Sequence, residues 1–237
     1  YGTAKKIPTI EIRPLNQVTE LLTKDGKISG VKVEAKGKDK KDYTIDAKAV
    51  VLATGGFGAN AKLISSLRPE YKGFATTNQP GALGEGLDLA KGVGATFVDL
   101  REIQAHPTVV PVKGILISES MRARGGYLVN NEGNRFVNEL LPRDLLTKKE
   151  YEQMKKDDMP YVRLSLAPIK EEEIKGHFPN IYRRCLEEGY DVTKDPIPVV
   201  PAQHYFMGGI WVDSEKSRTS AEHLYAIGET SCNGVHG

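Results

Sequence analysis

The chain has 237 residues, and its 33 basic and 31 acidic side chains give a formal net charge of +2. This balance favours neither nucleic acid nor an anionic membrane as a general partner. No apolar run approaches the roughly 20 residues of a membrane span, so we predict no membrane span and expect a soluble protein, with the cytoplasm favoured. The length allows one or two domains, and the abrupt ends at Tyr1 and Gly237 favour a piece of a longer protein.

The predicted elements begin with a β-meander that leads into a buried strand. Alternating, β-branched segments predict strands over residues 9–13, 17–22, 28–34 and 43–47, with a hairpin signal at Asp25-Gly26 and a charged, solvated turn over residues 36–41. The apolar run Ala49-Val50-Val51-Leu52 then predicts a strand covered on both faces.

Small residues and glycines follow that strand. Gly55 and Gly56 permit positive φ and a close approach of the main chain. Ligands of open α/β sheets sit at the carboxyl ends of strands. We therefore predict that residues 54–56 contact a nucleotide cofactor, and a simple turn is the alternative.

A second glycine-rich break precedes a predicted helix. Residues 60–67 show helical periodicity, residues 78–81 break the chain, and a new helix starts in the segment 84–90. Gly81, Gly84 and Gly86 place backbone N–H groups at the N-terminus of that helix, which suits an anion such as a cofactor phosphate. A plain helix entry is the alternative.

The remainder predicts short, mixed elements. They are interrupted apolar runs over 96–112, a polar helix over 150–156, a strand over 161–166, a helical stretch over 171–189, an extended segment over 195–201, and strands over 210–212 and 224–227. The last strand ends at Gly228-Glu229, just as the first apolar strand is followed by glycines. The two cysteines and the scattered histidines lack metal-ligand spacing, so no metal site is predicted.

Several polar residues beside Gly or Pro breaks suit the binding of a small dianion. Arginine can bind a carboxylate through two hydrogen bonds, and uncharged histidines can donate further hydrogen bonds to it. The structural alternatives are a surface pair between Glu119 and Arg122, worth a few tenths of a kcal/mol, and histidines with a purely structural role. The set is His106, Ser118, Glu119, Arg122, Arg143 and His204.

Together these segments resemble the flavoprotein family of fumarate reductases, succinate dehydrogenases and L-aspartate oxidases. The similar blocks are 53–57, 77–81, 84–86, 104–108, 118–122, 136–139, 204–209, 226–229 and 234–237, which span nearly the whole chain. Up to about Arg143 the likeness is greatest to soluble fumarate reductases. From Phe178 onward it is greater to L-aspartate oxidase or succinate dehydrogenase.

The resemblance implies an α/β fold, a Rossmann-like FAD-binding domain with a β-meander, interrupted by an α+β capping domain. Residues 1–100 and 206–237 would form the FAD-binding domain, and residues 101–205 the cap. FAD would be the cofactor, and an electron-donor protein or domain would lie outside this sequence. The implied FAD contacts are Ala53, Thr54, Gly55, Gly56, Asn78, Gln79, Gly84, Glu85, Gly86, Gly228 and Glu229.

The same resemblance implies roles for the polar set. A small dicarboxylate substrate would be held by His106, Ser118, Glu119 and His204. Arg143 would donate a proton, with Glu119 and Arg122 as its relay, while hydride passes between flavin N5 and a substrate carbon.

Three departures from the family pattern keep other functions open. The family's Gly-rich pyrophosphate segment and a later substrate arginine are not among these residues, so the chain alone is expected to bind FAD poorly and to be inactive. Arg101 occupies the place of a glutamate that meets the substrate amine in aspartate oxidases, with Glu102 beside it. The alternatives are an L-aspartate oxidase and a non-catalytic remnant that binds a dicarboxylate or a partner protein without flavin.

Overall fold

A computed structural model describes residues 2–36, 41–111 and 113–235. Most of the predicted charged turn (37–40), residue 112 of the predicted interrupted runs, and His236 and Gly237 of the last similar block lie outside the described residues. Within the described ranges, no helix is long and apolar enough to cross a membrane.

The strands and helices are short and alternate along the chain. The strands are β1 (Asn16–Lys24), β2 (Lys27–Ala35), β3 (Tyr43–Asp46), β4 (Val50–Leu52), β5 (Ala75–Thr76), β6 (Phe97–Val98), β7 (Ile103–Val110), β8 (Ile115–Leu116), β9 (Tyr127–Val129), β10 (Val162–Ser165), β11 (Ile197–Phe206), β12 (Gly209–Trp211), β13 (Leu224–Ala226) and β14 (Ser231–Cys232). The α-helices are α1 (Ala61–Leu67), α2 (Glu85–Gly92), α3 (Glu119–Ala123), α4 (Arg143–Asp157), α5 (Glu171–His177) and α6 (Pro179–Glu187). Short 3-10 helices cover Ala4–Lys6, Pro69–Tyr71 and Gly228–Thr230.

The chain divides into two compact units. The first contains Tyr1–Gly55, Gly84–Asp99 and Gly208–Gly237, and the second contains Gly56–Leu83 and Leu100–Met207. The predicted FAD-binding and capping domains stay a prediction, because compactness alone does not assign a function to either unit.

Three small sheets build the first unit. β1, β2 and β3 form the predicted antiparallel meander, and Asp25 and Gly26 turn the first hairpin with φ of 53° and 77°. β4 pairs in parallel with β13, so the two glycine-closed strands end side by side. The third sheet has the order β14-β12-β6. Buried side chains of Leu52, Ile210 and Leu224 join one core.

The second unit is built on a six-stranded sheet with the order β8-β7-β11-β10-β9, to which β5 adds by pairing with β11. α4 packs against this sheet and contributes Leu146 to a core that also contains Leu128, Leu164 and Ile174. The mixed α/β fold predicted from the sequence is confirmed. The long strand β11 pairs with both β7 and β10, and it carries the proline-rich segment that was predicted to be extended.

Three predicted elements are wrong in detail. Residues 9–13 form no strand, because Pro8 and Pro14 bracket them without N–H donors and Arg13 pairs locally with Glu11. The β4 strand is not covered on both faces, since Val51 is 54% exposed. The helical stretch over 171–189 is two helices, because Pro179 forces Phe178 out of helical geometry.

Candidate active site

All of the predicted substrate and proton-transfer residues lie in the second unit. His106 lies on β7, Ser118 caps α3, Glu119 and Arg122 are in α3, Arg143 begins α4, and His204 lies on β11. The register of β7 and β11 places the imidazole rings of His106 and His204 edge to face, with their centroids 5.5 Å apart.

Arg143 is held by two side chains that face a cavity. Its Nε and Nη2 atoms donate to Oε2 of Glu119 over 3.1 and 2.6 Å, and its Nη1 donates to Oε1 of Gln104. The Arg143 guanidinium holds the pKa of the Glu119 carboxyl below its usual value. All three side chains line a cavity of about 1050 Å³, which we call the Arg143 cavity. A fixed, partly exposed guanidinium there is placed to meet an anion.

Arg122 lies inside the unit. Arg122 is only 3% exposed, and its Nη1 donates to the backbone carbonyl of Glu139. Burial lowers its pKa, while the charge of Glu119 opposes that shift. The alternative of a surface pair with Glu119 is therefore wrong. In the part of the chain that the structure describes, no hydrogen bond joins Arg122 to Glu119, whose ion-pair partner is Arg143.

Both histidines are uncharged near neutral pH. His106 is 1% exposed, and burial, reinforced by the Arg143 charge, lowers its pKa to about 3. Its Nδ1 accepts the Thr108 N–H over 3.3 Å, which assigns the ring proton to Nε2. His204 shares a hydrogen bond of 2.9 Å between its Nδ1 and the Thr77 hydroxyl, and burial lowers its pKa as well. Each ring can therefore bind an anion by donation without carrying a charge.

The neutral state of His106 makes stability depend on pH. Because its folded-state pKa is about 3 against a usual 6.5, the unfolded chain binds a proton between these values that the folded chain does not. The free energy of unfolding therefore falls as the pH drops through this window, with a slope from this group of up to about 1.4 kcal/mol per pH unit.

We expect His106→Gln to flatten that slope in urea unfolding measured from pH 7 to pH 4. The exposed residue His177 offers the matched control His177→Gln, which makes the same chemical change at the protein surface. An equal slope in wild type and His106→Gln would contradict the assignment.

Sequence reasoning missed several residues of this cluster. Gln104 and Thr77 lie within the family-like blocks but were given no role, and the structure shows them bonded to Arg143 and His204. The sequence predicted that Glu150 lies in a polar helix, but in the structure Glu150 is fully buried. For Glu150 the available signal was its place seven residues after Arg143, which puts the two on one face of a helix.

The predicted cofactor residues after β4 lie at an exposed strand end in the first unit. Ala53, Thr54 and Gly55 are exposed, and Gly55 has a φ of 73°. After the parallel neighbour β13, Gly228 has a φ of 69°, and Glu229 follows it in a 3-10 helix. Two parallel strands thus end in turns that favour glycine, as expected of backbone that approaches a ligand.

The entry of α2 is packed closely against these turns. Gly84 caps the helix with a φ of 87°, and Glu85 is exposed on its first turn. A Cβ atom on Gly86 would lie 2.0 Å from the Thr54 hydroxyl oxygen and 3.0 Å from that of Thr230, and these two hydroxyls share a hydrogen bond of 2.9 Å. Glycine at this position lets the helix N-terminus reach the strand ends, an arrangement that fits a cofactor phosphate.

The Gly86 contact predicts a sharp contrast between two glycines of α2. We expect Gly86→Ala to destabilise the protein by about 1–3 kcal/mol, because the methyl group would displace Thr54. Gly92→Ala is the control, since no atom lies within 4 Å of its added Cβ. Thermal unfolding of the two variants checks this, and equal melting temperatures would contradict the close approach.

The other predicted cofactor residues belong to the second unit. Gly56 is buried at its start, and Gln79 is exposed. The Asn78 side chain donates to the Thr76 hydroxyl over 3.1 Å and to the His204 carbonyl over 3.3 Å. The Asn78 amide thus supports the loop before α2 and the strand that carries His204, and direct contact with FAD stays a prediction.

Comparison with known proteins assigns the chain to a protein family. The chain matches the FAD binding domain family over residues 1–237. It is 48% identical over 205 residues to the L-aspartate oxidase of Clostridium perfringens, covering 84% of this chain and 44% of that protein. It is 34% identical over 284 residues to the fumarate reductase (cytochrome) of Shewanella frigidimarina, covering 100% of this chain and 49% of that protein. The chain belongs to the FAD-binding flavoprotein family that includes these enzymes.

The fold points to the same family. The flavoprotein of E. coli quinol fumarate reductase superposes with a TM-score of 0.79 at 30% identity, covering 94% of this chain and 40% of that one. The chain thus spans about half or less of the length of the relatives it matches. The resemblance read from the sequence is confirmed.

Proposed function

We propose that the protein containing this chain is a flavin-dependent oxidoreductase that transfers a hydride between FAD and a small C4 dicarboxylate. The observation that carries the proposal is the arrangement of Arg143, fixed by Glu119 and Gln104, beside two uncharged histidines. Relatives named fumarate reductase and L-aspartate oxidase support the substrate class.

The chain's own residues would bind and orient the substrate. The Nε2–H of His106 and the free ring nitrogen of His204 would donate to carboxylate oxygens, and Ser118 would add a hydroxyl donor. The Ser118 oxygen accepts the Ser120 N–H over 3.2 Å, so its proton remains available. FAD, when bound, would supply the hydride donor or acceptor. The protein would supply orientation and charge stabilisation.

Arg143 would hold the proton that the substrate carbon gains or loses. A guanidinium gives up a proton reluctantly, so the role requires a partner that replaces it at once. Glu119 is in direct contact with Arg143, and Arg122 lies behind with its charge acting on Glu119. We therefore assign proton delivery to Arg143 with Glu119 and Arg122 as its relay.

The decisive experiment is the anaerobic reduction of the natural full-length protein, followed by addition of fumarate. Reoxidation of a bound flavin, seen in the visible spectrum, would support the function. A protein purified without flavin would favour the non-catalytic remnant. A flavin that ignores fumarate would direct the test to aspartate and other dicarboxylates.

L-Aspartate oxidation is the second candidate, favoured by the 48% identity to the clostridial enzyme. Arg101 stands where that reaction is expected to use a glutamate, but the neighbouring Glu102 is exposed and lines the Arg143 cavity. A carboxylate there could pair with a substrate ammonium group. Loss of aspartate-dependent peroxide formation in Glu102→Ala, with fumarate reduction unchanged, would favour this candidate.

A further inference from the structure

Helix α4 carries a buried carboxyl group that the relay just described does not use. Glu150 lies two turns beyond Arg143, and its residue is 0% exposed. Among the described residues, neither of its carboxyl oxygens has a hydrogen-bond partner. A buried acid without a partner is costly, so its presence calls for a group that it serves.

The charged group that acts on Glu150 is Arg122. Burial raises the pKa of the Glu150 carboxyl well above its usual value, and the charge of Arg122 opposes that rise. Burial likewise lowers the pKa of Arg122, and Glu150 opposes that lowering, so the interaction is mutual. The Nε and Nη2 atoms of Arg122 also lack partners in the described part of the chain. No ion pair within 4.0 Å joins the two in that part. A water between the two groups would satisfy the unpartnered atoms of both.

Other groups on the elements around α4 do not replace Arg122. His106 on β7 and His204 on β11 are uncharged, because burial lowers the pKa of each. On β10, Arg163 alternates with the buried Val162 and Leu164 and so faces the other side of the sheet. Tyr151, next to Glu150 on α4, is also uncharged, since burial raises its pKa.

We propose that Glu150 is a positioning residue for proton delivery, holding the orientation and charge of Arg122 through a bridging water. Among the described residues, the direct partner of the Arg122 guanidinium is the Glu139 carbonyl, so Nε and Nη2 lack an anchor that a water held by Glu150 would supply. The catalytic meaning of this inference rests on the proposed function. The pairing of Glu150 with Arg122 is a property of the fold.

The test uses the full-length flavoprotein with Glu150→Leu and Glu150→Gln. Glu150→Leu should lower the melting temperature, because it leaves the buried Arg122 guanidinium without its partner. Its fumarate-dependent reoxidation should fall about 10- to 100-fold, because Arg122 loses its anchor. Glu150→Gln should recover most of the rate at pH 7, since an amide oxygen still accepts, but it should lose the part of the pH profile that reports ionisation of Glu150.

Glu152→Gln is the matched control on the same helix. Its carboxylate is exposed and pairs with Lys149 over 2.8 Å, so rate, pH profile and melting temperature should stay unchanged. A Glu150→Leu variant with the wild-type rate and pH profile would overturn the proposal.

A second measurement separates this inference from the proposed function. Melting temperatures of Glu150→Leu, Arg122→Met and the double variant form a cycle that needs no substrate. Shifts that do not add support the pairing, and additive shifts overturn it. If wild type reacts with no C4 dicarboxylate, the proposed function fails, and the cycle alone decides whether Glu150 and Arg122 are coupled.

Discussion

Replacing Arg143 by alanine is expected to slow fumarate-dependent reoxidation of the bound flavin by about 10²- to 10⁴-fold, the range typical of a lost general acid. The variant removes both the proton donor and the cation that pairs with Glu119. Flavin content and the rate of flavin reduction by dithionite should not change. Stopped-flow absorbance of the reduced enzyme mixed with fumarate measures the effect.

Two further variants sharpen this test. Arg143→Lys keeps a positive charge but not the fork that reaches both Glu119 and Gln104, so we expect a rate between those of wild type and alanine. Arg183→Gln removes an exposed arginine whose pair with Glu187 lies outside the site, and it should behave as wild type. Intact fumarate reduction in Arg143→Ala would eliminate Arg143 as the proton donor.

The largest stability effect is expected at Glu139, where alanine should cost about 3 kcal/mol. The Glu139 side chain is 3% exposed, and its Oε1 accepts the Leu128 N–H over 2.8 Å. Its Oε2 accepts from Arg135 over 2.6 Å. Removing the carboxylate leaves a buried donor unpaired and loosens the turn whose carbonyl binds Arg122.

Chemical unfolding measures this effect, with Glu132→Ala as the control. Glu132 is exposed, and its carboxylate accepts from the nearby Asn134 amide over 3.1 Å. We expect an unchanged midpoint for the control and a clearly lower one for Glu139→Ala. Equal midpoints would mean that the buried carboxylate adds nothing to stability.

Much of the candidate site follows from local sequence, because glycine turns and strand ends are local features. The strand at Val50, the hairpin at Asp25-Gly26 and the helix after Gly84 were all predicted from patterns of a few residues, and the structure contains each of them. The polar set that includes Arg143 was singled out by residue type beside chain breaks. Its proposed roles came from the family resemblance.

What the sequence did not reveal depends on contacts between distant segments. The sequence predicts a polar helix over 150–156, whereas α4 begins at Arg143. Only the sheet packed against that helix decides that Glu150 and Leu146 are buried. Local spacing offered Arg122, three residues away, as an alternative partner of Glu119, whereas the long-range partner Arg143 forms the ion pair. For Val51 the sequence predicted burial and the structure shows exposure, because the apolar residues of a strand do not specify whether another element covers them.

The interleaving of the two units has a consequence for biosynthesis. β4 pairs with β13, which leaves the ribosome only after the entire second unit has been made. At typical elongation rates that interval is on the order of 10 s. During this interval the second unit can fold and bury its own core, while the edge of β4 stays exposed and unpaired. Synonymous codons that slow translation between these strands would lengthen the wait, and chaperone dependence should rise with it.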